Sequence, residues 1–155
     1  MRSELLPQLT VGLGVCLVNI AVHALVMTAV VRAVRSAALS YGGRPNLFII
    51  AVMVTAVSIL MGAHLAEVLI WTVVYTLVNA TPNDADAMYF AFVNYTTLGY
   101  GDITPAPGWK LLGPITAMNG VLLFGWSTAV IFEILRSAMS KQRSEADGST
   151  SRKPR

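Results

Sequence analysis

The chain has 155 residues, 55% of them hydrophobic and 12% charged, with a mean hydropathy of +0.62. A soluble domain carries about 25% charged residues, so this chain cannot cover a water-facing surface, and soluble domains, a disordered chain and a collagen-like fibre are excluded. The net charge of +3 does not point to nucleic acid, because six of the eleven basic residues (Arg136, Lys141, Arg143, Arg152, Lys153, Arg155) gather at the C-terminal end, as in a tail beside a membrane.

A helix needs about 20 apolar residues to cross a hydrocarbon core of ~30 Å, and three runs qualify. The first goes from Leu9 to Val31. A cleaved signal peptide would need a basic n-region and a shorter apolar stretch, so a retained span is expected. The single cysteine, Cys16, allows no intramolecular disulfide and is expected as a small buried apolar side chain. The run leads into Arg32, Arg35 and Ser40-Tyr41-Gly42-Gly43-Arg44-Pro45, a short basic turn. Residues 1–45 therefore form an N-terminal transmembrane helix and a basic turn. Small residues Gly12, Ala21, Ala24 and Ala29 permit packing, and Arg32, Arg35 and Arg44 are suited to anionic lipid heads. This first helix is open to three readings: a lipid-facing collar, a lever on the second helix, or a contact for a partner.

The second run, residues 47–78, carries His64 and Glu67 three apart on one helical face. A charge at the bilayer centre costs roughly 2.5–3.5 kcal/mol, so the pair calls for partners, with Asn94, Tyr89 or Asn19 as candidates. Two readings stay open: a protonation switch, since histidine titrates near neutrality, or a static interhelical hydrogen bond. The spacing also resembles part of a metal-ligand set, but no second such pair exists and His23 is the only other histidine, so a di-metal enzyme is not expected.

Residues 79–110 are too long for a tight turn and too interrupted for a span. Asp84, Asp86 and Asp102 face a single Lys110. Ala85–Thr96 is an aromatic amphipathic run, with Asn83 or Asp84 as N-cap and an acidic start that suits the helix dipole. A helix of about 12 residues spans only ~18 Å, so it dips into the membrane without crossing. Thr96-Thr97-Leu98-Gly99-Tyr100-Gly101-Asp102 follows at once. Non-helical backbone at that depth must be buried in protein or line a water-filled path. Two glycines around one tyrosine allow angles closed to other residues, so that successive carbonyls can face one axis and replace a cation's hydration shell.

The third span is residues 111–138, with Gly120, Gly125, Ser127 and Thr128 within it and Glu133/Arg136 as an ion pair at its end. Residues 139–155 are polar and basic and are expected to be disordered. Lys and Arg number three in the 32–45 turn and six at the C-terminal end, against one each at the N-terminus and in 79–110. The positive-inside rule puts the N-terminus outside and the C-terminus in the cytoplasm of a cell (inner) membrane.

TTLGYGD resembles the selectivity-filter signature of potassium channels, and the resemblance extends over residues 47–138: outer helix 47–78, pore helix 85–96, filter 97–102 and inner helix 111–138. It implies an all-α membrane protein, with three transmembrane helices plus a re-entrant pore helix and filter loop, assembled as a homotetramer of the small prokaryotic type. It implies K⁺ sites at the carbonyls of Thr97, Leu98, Gly99 and Tyr100 and the Thr97 hydroxyl, with Thr96, Gly101, Asp102, Tyr89 and Asn94 as filter support. K⁺ is the permeant ion; no cofactor, nucleic acid or enzymatic activity is implied. Departures bear on filter stability: Leu98 replaces the usual valine, Tyr89-Phe90 stand where many members carry two tryptophans, and Asn94 follows Val93 where some carry an acid. Gly120 falls near the family's hinge glycine, with Gly125 a second candidate, and close helix packing is the alternative for both. Gating candidates are thus Gly120, Gly125, His64 and Glu67. No span carries the spaced arginines of a voltage sensor, and the residues after Met139 are too few for a ligand-binding domain. Rival readings are a cation pore of relaxed selectivity and a non-conducting scaffold or regulatory subunit.

Overall fold

The computed structural model describes the backbone of residues 2–40, 45–81 and 84–151, and the side chains of 5–34, 47–81 and 86–140. Arg44, Asn83 and the side chains of Arg35 and Asp84 lie outside the described residues. Four α-helices follow one another: α1 (Arg2–Ser40), α2 (Pro45–Leu77), α3 (Asp84–Tyr95) and α4 (Leu112–Ser151). Three stretches are long and apolar enough to cross a membrane: Leu5–Val34, Leu47–Leu77 and Pro107–Ser140. The short α3 lies between the second and third, as expected. One expectation is corrected: the backbone stays helical to Ser151 instead of giving way to disorder after 138. Extending an existing helix avoids the nucleation cost, so a polar continuation such as 141–151 can remain helical where an isolated peptide would not.

The elements end where their chemistry requires. α2 closes with a Schellman motif, in which Ala80 N donates to Tyr75 O (2.9 Å) and Asn79 N to Thr76 O (3.1 Å). Asn79 takes the left-handed conformation, φ 53°, which asparagine tolerates better than most residues. The loop after α3 is tied back to this cap by Ala106 N donating to Ala80 O (2.8 Å). The entry to α4 is held by α1, because Gln8 Oε1 accepts from Leu111 N (2.8 Å).

Packing is layered along the bundle. One apolar cluster joins Val15 of α1, Val68, Trp71 and Tyr75 of α2, Phe90, Ala91 and Tyr95 of α3, and Leu112 and Ile115 of α4. The other joins Met27 and Val30, Val52, Ala56 and Leu60, and Ile134. Buried polar residues fall between them on each helix: Asn19 and His23, His64 and Glu67, Asn119 and Ser127. The helices therefore alternate in direction, and α3 packs at the end where α1 and α4 begin. Cys16 is only half-buried, a correction to the expected buried side chain: it packs at the margin of the first apolar cluster rather than inside it.

Gly120 marks the closest approach. A Cβ there would sit 2.0 Å from the Tyr95 carbonyl oxygen, a backbone atom that cannot rotate away, whereas a Cβ on Gly125 meets nothing within 4 Å. Close packing alone thus accounts for glycine at 120. Gly120→Ala is expected to lower unfolding stability by about 1–3 kcal/mol, the usual cost of overpacking, and Gly125→Ala to leave it unchanged, measured by thermal or denaturant unfolding in detergent.

Candidate functional site

The stretch after α3 is built on the helix's own last turn. Thr97 N donates to Asn94 O (3.0 Å), Leu98 N to Val93 O (2.9 Å), and Gly99 N shares that oxygen at 3.4 Å. Every peptide bond among the described residues is trans, and in a trans peptide the carbonyl of one residue points opposite to the N–H of the next. With three successive N–H groups turned onto α3, the carbonyls of Thr96, Thr97 and Leu98 point away from it. Residues 96–102 are all exposed on that side of the chain, Leu98 by 53% and Tyr100 by 69%.

The backbone alternates in hand: φ is +60° at Thr97, +61° at Gly99 and +76° at Gly101, and positive at neither Leu98 nor Tyr100. A Cβ on Gly99 would have only the Thr97 oxygen near it, at 3.9 Å, and one on Gly101 nothing within 4 Å. These two glycines therefore answer a demand of conformation rather than of space. Thr97 pays that demand with a β-branched side chain in the left-handed region, a strained state worth about 1–3 kcal/mol. Such strain persists only where its surroundings hold it, here by the three amide bonds onto α3.

The supporting residues divide differently from expectation. Tyr89 donates its hydroxyl to Asp102 Oδ2 (2.8 Å), and Asp102 Oδ1 accepts from Ile103 N (3.1 Å). Tyr89 thus braces the outer end of the strand through Asp102. Phe90 is buried against Tyr75, ring centroids 5.1 Å apart. Asn94 donates its side-chain amide to Phe90 O (2.8 Å), so its link to the strand is its main-chain oxygen. Thr96 donates back to Phe92 O (2.7 Å).

His64 and Glu67 sit behind this strand, and their partners differ from Asn94 and Tyr89, which the sequence suggested. Tyr95, the last residue of α3, donates its hydroxyl to Glu67 Oε2. His23 Nδ1 lies 2.7 Å from Glu67 Oε1. His64 Nδ1 lies 3.1 Å from Oε2 and 2.9 Å from the Tyr95 hydroxyl. Ser127 Oγ stands between the far nitrogens, 3.0 Å from His64 Nε2 and 3.2 Å from His23 Nε2. Asn19, the third suggested partner, reaches only the Glu67 main-chain oxygen, at 3.5 Å, and donates chiefly to Asn119 Oδ1 (2.8 Å), which also accepts from Trp71 Nε1 (3.0 Å). Glu67 and His23 are fully buried. Sequence reasoning missed His23 and Ser127 as members of this cluster. Asn19 and His23, four apart in an apolar span, were the available signal, since polar side chains one turn apart on a membrane helix face protein. Thr128 bonds back to Phe124 O (2.9 Å) and is exposed. The Glu133–Arg136 pair forms at 3.9 Å on the exposed surface.

Residues 63–137 match the model of a family described as an ion channel. No curated protein and no solved structure matches the chain. The matched stretch is thus similar to an ion channel domain. It takes in the second half of α2, all of α3, the strand 96–102 and most of α4.

The Asp102 carboxylate, by accepting the Tyr89 hydroxyl, holds that group above the ordinary tyrosine pKa. The sign follows: a tyrosine with a raised folded-state pKa stabilises the fold below its unfolded value of about 10, and that contribution is lost as pH rises through the folded value. The brace is therefore intact across the physiological range. In ultraviolet titration, the tyrosine missing from Tyr89→Phe is expected to ionise above the ordinary value, and Asp102→Asn to bring it back down. An unshifted Tyr89 in the wild type would mean that the bond does not form.

Proposed function

We propose that the chain is one subunit of a homotetrameric, potassium-selective channel that conducts K⁺ passively through a filter of backbone carbonyls. The observation that carries this reading is the exposed stretch 96–102, in which the amides of Thr97, Leu98 and Gly99 turn onto α3 and the carbonyls of Thr96, Thr97 and Leu98 turn away from it. A peptide strand so exposed is untenable at membrane depth unless other protein or a water-filled path faces it. Three further copies around an axis would meet that need, and the ring of oxygens would take the place of an ion's hydration shell. In this reading the carbonyls of Thr97, Leu98, Gly99 and Tyr100 and the Thr97 hydroxyl hold the ion, and Gly101 and Asp102 brace the outer mouth. The C-terminus of α3 contributes partial negative charge toward the same axis.

Potassium over relaxed cation selectivity is favoured by the rigidity of the strand. Its amides are pinned, its glycines sit in open space, and Tyr89 restrains Asp102 in place of the missing tryptophans. The basic residues Arg32, Arg35 and Arg44 between the first two apolar stretches and the basic C-terminal end support a cytoplasmic position for both, with the strand's mouth outside. Neither charge nor helix register provides a voltage sensor, so the pore answers to something other than membrane potential.

Purified protein in planar bilayers under opposing K⁺ and Na⁺ gradients is expected to reverse close to the potassium equilibrium potential. A reversal near zero would replace this reading with a cation pore of relaxed selectivity. Gly99→Ala, which puts a Cβ at φ +61° at a cost of roughly 1–2 kcal/mol in each strand, is expected to abolish the current while the oligomer still assembles. Unchanged current in Gly99→Ala would overturn the carbonyl filter.

A further inference from the structure

The cluster behind the filter has a shortage of protons. A carboxylate only accepts, so Glu67 bonds to His23 Nδ1 and His64 Nδ1 only if both nitrogens carry hydrogen. If both imidazoles are neutral, both Nε2 atoms are then acceptors, and both face Ser127 Oγ at 3.0 and 3.2 Å. Ser127 has one hydroxyl proton for two acceptors. One contact is left unmade, and the cluster keeps a net charge of −1 in a place where Glu67 and His23 have no exposed surface. The ion-pair partners the structure gives Glu67 are the two histidines themselves. A buried, uncompensated charge of this kind is costly.

A third proton shared by the cluster would remove both deficits; a divalent cation would free both Nε2 positions to carry hydrogen and would replace the net charge of −1 by +1, spread over two imidazoles and a carboxylate. The geometry points to the cation, and we propose that His23, His64 and Glu67 form a mononuclear binding site for a borderline divalent transition metal of the zinc class. Their candidate ligand atoms all lie within 4.8 Å of one another, and two imidazoles with a carboxylate suit such ions rather than K⁺, Mg²⁺ or Ca²⁺. Ligands about 2.0–2.1 Å from a tetrahedral ion are separated from one another by about 3.3 Å. His23 Nδ1 lies 2.7 Å from Glu67 Oε1 and His64 Nδ1 3.1 Å from Oε2, so these pairs open by about 0.2–0.6 Å while the widest ligand pair, within 4.8 Å, closes onto the ion.

The surroundings fit the same occupant. With the metal on both Nδ1 lone pairs, each histidine carries its proton on Nε2, and Ser127 Oγ accepts both through its two lone pairs. That is the shared outer acceptor that fixes ligand tautomers in metal sites, and the serine's own proton is free to bond back along α4. Tyr95 donates to Glu67 and orients the carboxylate, its oxygen standing near the fourth corner. The metal would clamp α1 to α2 beside the last residue of α3, immediately behind Thr96 and Thr97.

The test is metal content, which is independent of conduction. Protein purified in detergent is stripped with a chelator, dialysed against Zn²⁺, and separately titrated with Co²⁺ while its visible spectrum is followed. One ion per chain is expected, with the intense bands of tetrahedral Co²⁺, displaced by Zn²⁺. Ser127→Ala keeps every ligand and is expected to weaken binding 10–100-fold; His23→Gln is expected to weaken it more than 100-fold. A wild-type protein that takes up no metal, which needs no variant to fold, would overturn the site and leave a proton-bonded network. Equal uptake by wild type, Ser127→Ala and His23→Gln would overturn it as well, by placing the ion elsewhere.

Discussion

Hydrocarbon offers nothing to a free peptide group, and the rest of this structure depends on how that constraint is met after Tyr95. A helix that stops inside the membrane leaves its last carbonyls without amide partners. Here those carbonyls are taken by the strand that follows: Asn94 O by Thr97 N, Val93 O by Leu98 N and Gly99 N. The bonds serve both elements at once. They cap α3, and they fix which way the strand's peptides face. Because a trans peptide is rigid, pinning the amides determines where the oxygens go. The left-handed angles at Thr97, Gly99 and Gly101 are the geometric consequence, and the two glycines meet it without strain.

The same constraint shapes what stands behind the strand. α3 can hold it in place only if α3 itself is immobile, and α3 is gripped at both levels. Phe90 and Ala91 sit in the apolar cluster with Trp71, Tyr75 and Leu112. Tyr95, at the junction of helix and strand, is fixed by its hydroxyl bond to Glu67, and its carbonyl lies so close to α4 that only glycine fits at 120. A displacement of α4 at that point is therefore a displacement of the strand's root. This contact ties α4 directly to the junction of α3 and the strand.

How much of this was legible in the sequence differs by the range of the interaction. Span length and breakers pointed to three long apolar helices with a short helix between the last two, because those signals are local and the bilayer thickness enforces them. The TTLGYGD stretch announced its special angles, since no other residue relieves φ near +60° as glycine does. Pairings across helices were not legible. Glu67 was recognised as needing partners, but which face of α1 meets α2 depends on packing, so His23 was passed over. Tyr89 was expected to support the stretch 97–102, and the partner its hydroxyl takes, Asp102, is a choice made by side-chain reach. The helix through 141–151 was missed because composition describes an isolated segment, not one continuing an existing helix.

The first helix now has a definite physical role among the three readings left open for it. A detachable collar would bury only apolar surface against its neighbour. α1 instead supplies Asn19 and His23, both fully buried, to a polar layer whose other members come from α2, α3 and α4. Removing α1 would strip His23 from Glu67 and take Gln8 from the entry of α4. Each loss leaves a buried polar group without its partner in a medium that supplies none. Apolar packing between membrane helices is weakly specific, because lipid packs against leucine as well as protein does. Polar contacts of this kind fix a helix in rotation and depth, so the register of α1 against the other helices is set by residues that also contact Glu67, the acceptor of the Tyr95 hydroxyl.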